Sequence, residues 1–244
     1  MNVFADAEEW SGPAFELFGA DHRRMLTLIV LLEVLLLKRG RSAGPAARRR
    51  RRRLLASGLV AQELSYHAWR ARTGTWRVDE MLPLHLCSAS VWLGAAMLWT
   101  GSHRLYQWVY FAGISGAAVA LATPDVGRFG APHYRFWQFF ASHGLILTAP
   151  LWMTFVEGAR PAPRSLPRAV GTTAALAAAV FAANGRLGSN YMFLNGKAAT
   201  PSVLDALPPW PRYLPLMAAG IAGLFAALYA PWALADARAR RRAP

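Results

Sequence analysis

The chain has 244 residues, 55% of them hydrophobic and only 16% charged, with a mean hydropathy of +0.21. That balance excludes an ordinary soluble domain, and a single cysteine excludes an internal disulfide and any Cys-x-x-Cys zinc site. The net charge of +14 resides in arginines set between apolar blocks. It therefore reads as membrane orientation and contact with anionic headgroups, and no nucleic acid partner is expected.

The first 22 residues carry Asp6, Glu8, Glu9, Glu16 and Asp21 without a Lys or Arg, so they lack the basic start of a signal peptide. Apolar blocks follow at 25–37, 54–69, 82–99, 105–122, 136–156, 169–183 and 213–234. Each is predicted as a helix, because about 20 residues at 1.5 Å per residue cross a bilayer core. The first block is short and interrupted by Glu33; it must extend back past Arg23 and Arg24 or let them snorkel, and it would itself serve as the membrane-targeting signal. The sixth is Ala-rich, which predicts a helix packed between others rather than one facing lipid.

With the N-terminus outside, the inner connections hold Lys38, Arg39, Arg41, the run 48–53, Arg104, Arg160, Arg164, Arg168 and the C-terminal arginines, which is most of the 27 basic residues. The expected fold class is therefore all-α: a polytopic membrane helix bundle of about seven transmembrane helices, N-out and C-in. The single transmembrane domain runs over 23–235, after an acidic segment 1–22 and before a basic tail 236–244. The chain has no P-loop, no G-x-S-x-G and no dinucleotide fingerprint.

Polar residues inside spans are costly and mark partners or cavities. Here they are Glu33, Glu63, His67, His85, Cys87, His143 and Asn184. Cys87 lies about five residues into the third block and His143 about seven into the fifth, which gives depths of roughly 8 and 10 Å on helices that run the same way. Glu63, His67 and Asn184 fall near the ends of oppositely directed blocks, so all these groups converge in one half of the bilayer. His85 and Cys87, two residues apart, point to opposite sides of a helix, so the base for the thiol is expected from another helix. Glu63 and His67, four apart, face together as a carboxylate beside an imidazole. Gly144, after His143, leaves room for a close neighbour.

A lone Cys in an apolar helix also packs as a small hydrophobe, and an intramembrane His also bridges helices. A metal site from His67, His85, Cys87 and His143 lacks an i, i+4 pair of histidines, and none is expected. The loop NGRLGSNYMFLNGKAATPSVLDALPPWPRYL is too specific in its order of Asn, Gly, aromatic and Pro residues for an idle connector. Asn184, Gly188, Asn190, Tyr191, Met192, Phe193, Leu194, Lys197, Ser202, Leu204, Asp205 and the Pro209, Trp210, Pro211 run resemble the signature of YwaF-like bacterial membrane proteins, relatives of the animal transmembrane protein 164. LPLHLCS and FFASHG resemble that family in the same order, and the likeness spans roughly 54–234. Ala198 and Pro208 depart from its proline and glycine, which touches substrate detail more than chemistry.

The resemblance implies a phospholipid acyltransferase of the bacterial cytoplasmic membrane, with Cys87 and His143 as its functional pair. Phospholipid and lysophospholipid are then the substrates, the acyl chain passes through a cysteine thioester, and no cofactor is required. Because amides within a helix are already bonded, side chains are expected to supply the oxyanion donors: Asn184, Asn190 or Ser88, with Tyr191, Glu63, His67 and His85 in support. The alternatives are an intramembrane lipid hydrolase using the same pair, and a non-enzymatic seven-helix carrier or receptor.

Overall fold

The computed structural model describes residues 2–198 and 202–242. Met1, residues 199–201 of the long loop and the last two residues of the tail lie outside them. Among the described residues there are eight α-helices and no strand. They are α1 (Ala20–Arg41), α2 (Pro45–Arg72), α3 (Val78–Met81), α4 (Leu86–Thr100), α5 (His103–Ala122), α6 (Tyr134–Phe155), α7 (Ser165–Leu187) and α8 (Tyr213–Arg242). Apart from the single turn α3, each covers one of the apolar blocks.

α1 does extend back past Arg23 and Arg24, and α2 takes in the six-arginine run as its first turns. The third block departs from expectation, because α4 starts only at Leu86, after α3 and the non-helical stretch 82–85. Pro83 is the cause. It disfavours helical backbone at Leu82, whose ψ of 151° is extended, and it supplies no N–H.

α2, α4, α5 and α6 pack together as the centre, with α1 against α6, and α7 and α8 against α5 and each other. α5, α7 and α8 are long and apolar enough to cross a membrane, and α4 is apolar but shorter. Leu28, Val30, Leu31, Leu32, Val34 and Leu35 of α1 are exposed. Apolar surface on that scale needs lipid around it, which makes this a helical membrane protein. α7 corrects the expectation for the Ala-rich block: only 17% of its apolar window is buried, against 56% for α5. Ala169 and Thr173, which accepts from Trp108 Nε1 of α5, lie on its buried side, and most of the rest of its surface is outward.

Small and helix-breaking residues set the central contacts. Pro150 removes the N–H that would bond the Ile146 carbonyl, and a Cβ on Gly113 of α5 would lie 3.6 Å from that freed oxygen. Gly113 and Ile146 thus mark where α5 and α6 meet. Gly144 receives a side chain, Ile29 of α1, 3.6 Å from where its Cβ would be.

The N-terminal segment folds over the ends of α2 and α6. Trp69 Nε1 donates to the Phe4 carbonyl (2.9 Å), and His133 Nε2 donates to that of Ala5 (3.0 Å) while its Nδ1 accepts from the Arg135 amide (3.0 Å). The ring stacks on Phe129 at 4.1 Å. Burial, helped by the nearby Arg135 and opposed by the Ala5 carbonyl, holds the His133 pKa below its usual value of about 6.5. The native clasp therefore favours neutral imidazole and is fully held above that pH. It weakens as the pH falls, because the opened state takes the proton first. Proteolysis of the segment should accelerate from pH 7.5 to pH 5 in wild type and stay flat in His133→Gln; equal acceleration in both would remove His133 as the cause.

Candidate functional site

The late start of α4 changes the surroundings of Cys87. It is the second residue of a helix, not a mid-helix position, and His85 is the N-cap residue. The first amides of a helix have no intrahelical acceptor, and those of Leu86, Cys87 and Ser88 find none among the described residues. The expectation that side chains alone could donate near Cys87 is therefore corrected. Three N–H groups, the positive end of the α4 dipole and Ser88 all belong to the helical turn that carries the thiol.

Cys87 is half-buried, and its Sγ lies 3.3 Å from the position a Cβ on Gly116 of α5 would take. α5 and α6 run antiparallel, and Gly113 faces Ile146. Moving three residues toward the site on each, about 4.5 Å, reaches Gly116 on α5 and His143 on α6. Cys87 and His143 therefore stand at one level of the bundle, on the adjacent helices α4 and α6. Counting from helix starts would have misplaced them, because α4 begins recessed. Gly116 was not anticipated, and its only signal is a run of small residues, GISGAA.

His143 Nδ1 lies 2.9 Å from the Phe139 carbonyl one turn earlier. A carbonyl can only accept, so Nδ1 carries the proton and Nε2 of the neutral ring keeps a lone pair. The imidazole packs against Phe139 (4.1 Å between centroids), and the Arg135 guanidinium covers the other end of that stack at 5.2 Å from Phe139. Gly116→Val would push a branched side chain into Cys87. Activity of the folded variant should drop more than tenfold while Gly116→Ala loses less, and unchanged activity in Gly116→Val would put the reacting atoms elsewhere.

Glu63 and His67 do face each other, with Oε1 3.8 Å from Nε2, and His67 Nδ1 accepts from Trp76 Nε1 at 3.0 Å. Glu63 is within electrostatic range of both Cys87 and Arg135. His85 turns away from Cys87: its Nδ1 accepts from the Met192 amide (3.2 Å) and its ring packs against Tyr191 and Phe193. That leaves it a clamp on the long loop rather than a base.

The loop residues are also committed. Asn184 Nδ2 donates to the Tyr191 carbonyl (3.0 Å) and to Asn195 Oδ1 (2.9 Å), and its Oδ1 accepts from Ser189 Oγ (2.8 Å) and the Tyr191 amide (3.0 Å). Asn190 donates to the Gly196 carbonyl and accepts from the Asn195 amide. Both amides are engaged inside the loop, on its own backbone and side chains. Tyr191 accepts from the Leu82 amide and donates to the Val78 carbonyl, so the loop is tied over the approach to α4. Met192 and Phe193 hold φ of 57° and 55° there, costly for side-chain-bearing residues at about 1–3 kcal/mol each. The Tyr213 hydroxyl, donating to the Phe193 carbonyl, helps to hold that backbone. Among the described residues, no three of His, Cys, Asp and Glu gather as a metal site.

Compared with known families, residues 17–229 match the TMEM164 family. No curated protein and no solved structure matches the chain.

Proposed function

This chain belongs to the TMEM164 family, and from that premise we propose that it is an intramembrane phospholipid acyltransferase working through a Cys87 thioester. The observation that carries the reading is the common level of Cys87 and His143 across α5, with the thiol in the first turn of α4.

His143 Nε2 takes the proton of the Cys87 thiol, and the thiolate attacks the ester carbonyl of a donor phospholipid. The negative oxygen that develops is met by the amides of Leu86 to Ser88 and by the Ser88 hydroxyl, donors fixed by the helix before the reaction begins. The C–O bond breaks, the leaving alkoxide takes the proton from Nε2, and a lysophospholipid departs. A second lysophospholipid then gives its hydroxyl proton to Nε2 and attacks the thioester. The C–S bond breaks and the thiolate recovers the proton. Glu63 and Arg135 supply opposite charges around this pair, and Tyr191, His85 and Asn184 hold the loop above it.

All seven long helices cross the bacterial cytoplasmic membrane in this reading, with the N-terminus and the site outside and the arginine-rich ends inside. Tags at residues 1 and 244 should then report opposite sides, the C-terminal one cytoplasmic. Both on one side would mean an even number of crossings.

The deciding experiment supplies proteoliposomes with a phospholipid carrying an isotope-labelled acyl chain and an unlabelled lysophospholipid. Label should move into the acceptor's diacyl form. Label released only as free fatty acid would make water the acceptor and the protein a hydrolase. No label movement at all would leave the non-enzymatic carrier or receptor reading.

A further inference from the structure

The six arginines opening α2 divide into two sets. Arg48 donates to the carbonyls of Arg41 (2.6 Å), Ala43 (2.8 Å) and Val156 (3.2 Å), Arg51 to that of Arg39, and Arg52 stands 3.9 Å from Glu157. These three turn inward and tie the carbonyl-rich ends of α1 and α6 to α2. Arg49, Arg50 and Arg53 turn outward and are exposed. Together with Leu54, Ser57 and Trp99 they line an open groove of about 440 Å³ between the start of α2 and the end of α4. The Arg53 guanidinium lies 5.3 Å from the centre of the Trp99 ring.

We infer that this groove binds the headgroup of an anionic diacyl phospholipid, its phosphate between Arg49, Arg50 and Arg53 and its upper acyl chain along Leu54 and Trp99. Arg49 and Arg53, four residues apart, lie on one helix face, so two guanidinium forks can address one phosphate. The groove passes from basic to apolar within about two helical turns, as a lipid does from phosphate to chain. Leu54 and Trp99 are 60% and 53% exposed, and an exposed Trp at a helix end belongs at the bilayer interface. A soluble anion would need the arginines but not that apolar wall. The groove opens at the opposite end of α4 from Cys87, so this binding stands apart from the proposed chemistry.

The test is native mass spectrometry of the full-length protein in detergent, with phosphatidylglycerol and phosphatidylcholine as probes. Wild type should retain phosphatidylglycerol about tenfold over phosphatidylcholine, three juxtamembrane arginines each adding attraction for an anionic lipid. The triple variant Arg49→Gln, Arg50→Gln, Arg53→Gln should lose that preference. The equally discharged Arg238→Gln, Arg240→Gln, Arg241→Gln should keep it, and excess inorganic phosphate should not displace the lipid. The inference is overturned if the outward triple keeps the preference, if the two triples lose it equally, or if inorganic phosphate displaces the lipid. Trp99→Ala, with the charge intact, provides a second arm: retention should fall several-fold, and unchanged retention overturns the lipid assignment.

Discussion

Replacing Cys87 with alanine should bring acyl transfer to background while the protein still folds in membranes, because no other thiol exists to carry the acyl group. His143→Ala should lose about 10²–10⁴-fold, the usual contribution of a positioned general base. Because the two act in one step, the double variant should be no worse than Cys87→Ala alone. The assay is transfer of a labelled acyl chain in proteoliposomes, with size-exclusion profiles to establish folding. A second measurement separates a working thiol from a packed one: a lipophilic chloroacetamide should label Cys87 several-fold faster in wild type than in His143→Ala. Retained turnover in folded Cys87→Ala would discard the thioester route. Equal labelling rates in the two proteins would detach His143 from the thiol.

The second large effect is expected at Asn184, which is buried to 1% exposure and makes four hydrogen bonds. Asn184→Ala strands the Tyr191 N–H in a dry place and leaves the Tyr191 C=O with the Leu194 amide alone (3.4 Å), for a loss of about 1–3 kcal/mol. The apparent melting temperature should fall by several degrees. Asn190→Ala, at a half-buried position, should cost less. A variant at Asn184 that melts like wild type yet has lost its turnover would mark that side chain as an oxyanion donor.

The helices were legible because their apolar blocks are long, and only the edges moved. Where the reading failed, the cause was backbone rather than pattern. A helix drawn through Pro83 as one continuous span hid the fact that Cys87 stands in a first turn, although proline in LPLHLCS was a visible warning. Hydropathy has no term for it. In the structure the levelling of Cys87 with His143 rests on which helices are neighbours and on Gly113 and Gly116, not on the count from block starts that suggested it. The hydrogen-bond partners of Asn184 and Asn190 were not legible at all. An asparagine's residue type is the same whether its amide is spent on a loop or held for a substrate, and only the partners decide. The six arginines likewise read as one charge block, though helical periodicity already separates 48, 51 and 52 from 49, 50 and 53.

The loop clamped beside the start of α4 by Tyr191, His85 and Tyr213 lies, in the proposed topology, on the aqueous side of the thiol. With the N-terminal segment fastened over α2 and α6, the watery side of this end is roofed. In the proposed reaction, a donor arriving from solution, such as a water-soluble acyl carrier, would approach past those ties, whereas a lipid would approach in the plane of the bilayer. Traffic in the proposed reaction would be two-dimensional, and its rate should track the mole fraction of substrate in the membrane rather than its concentration in the bulk.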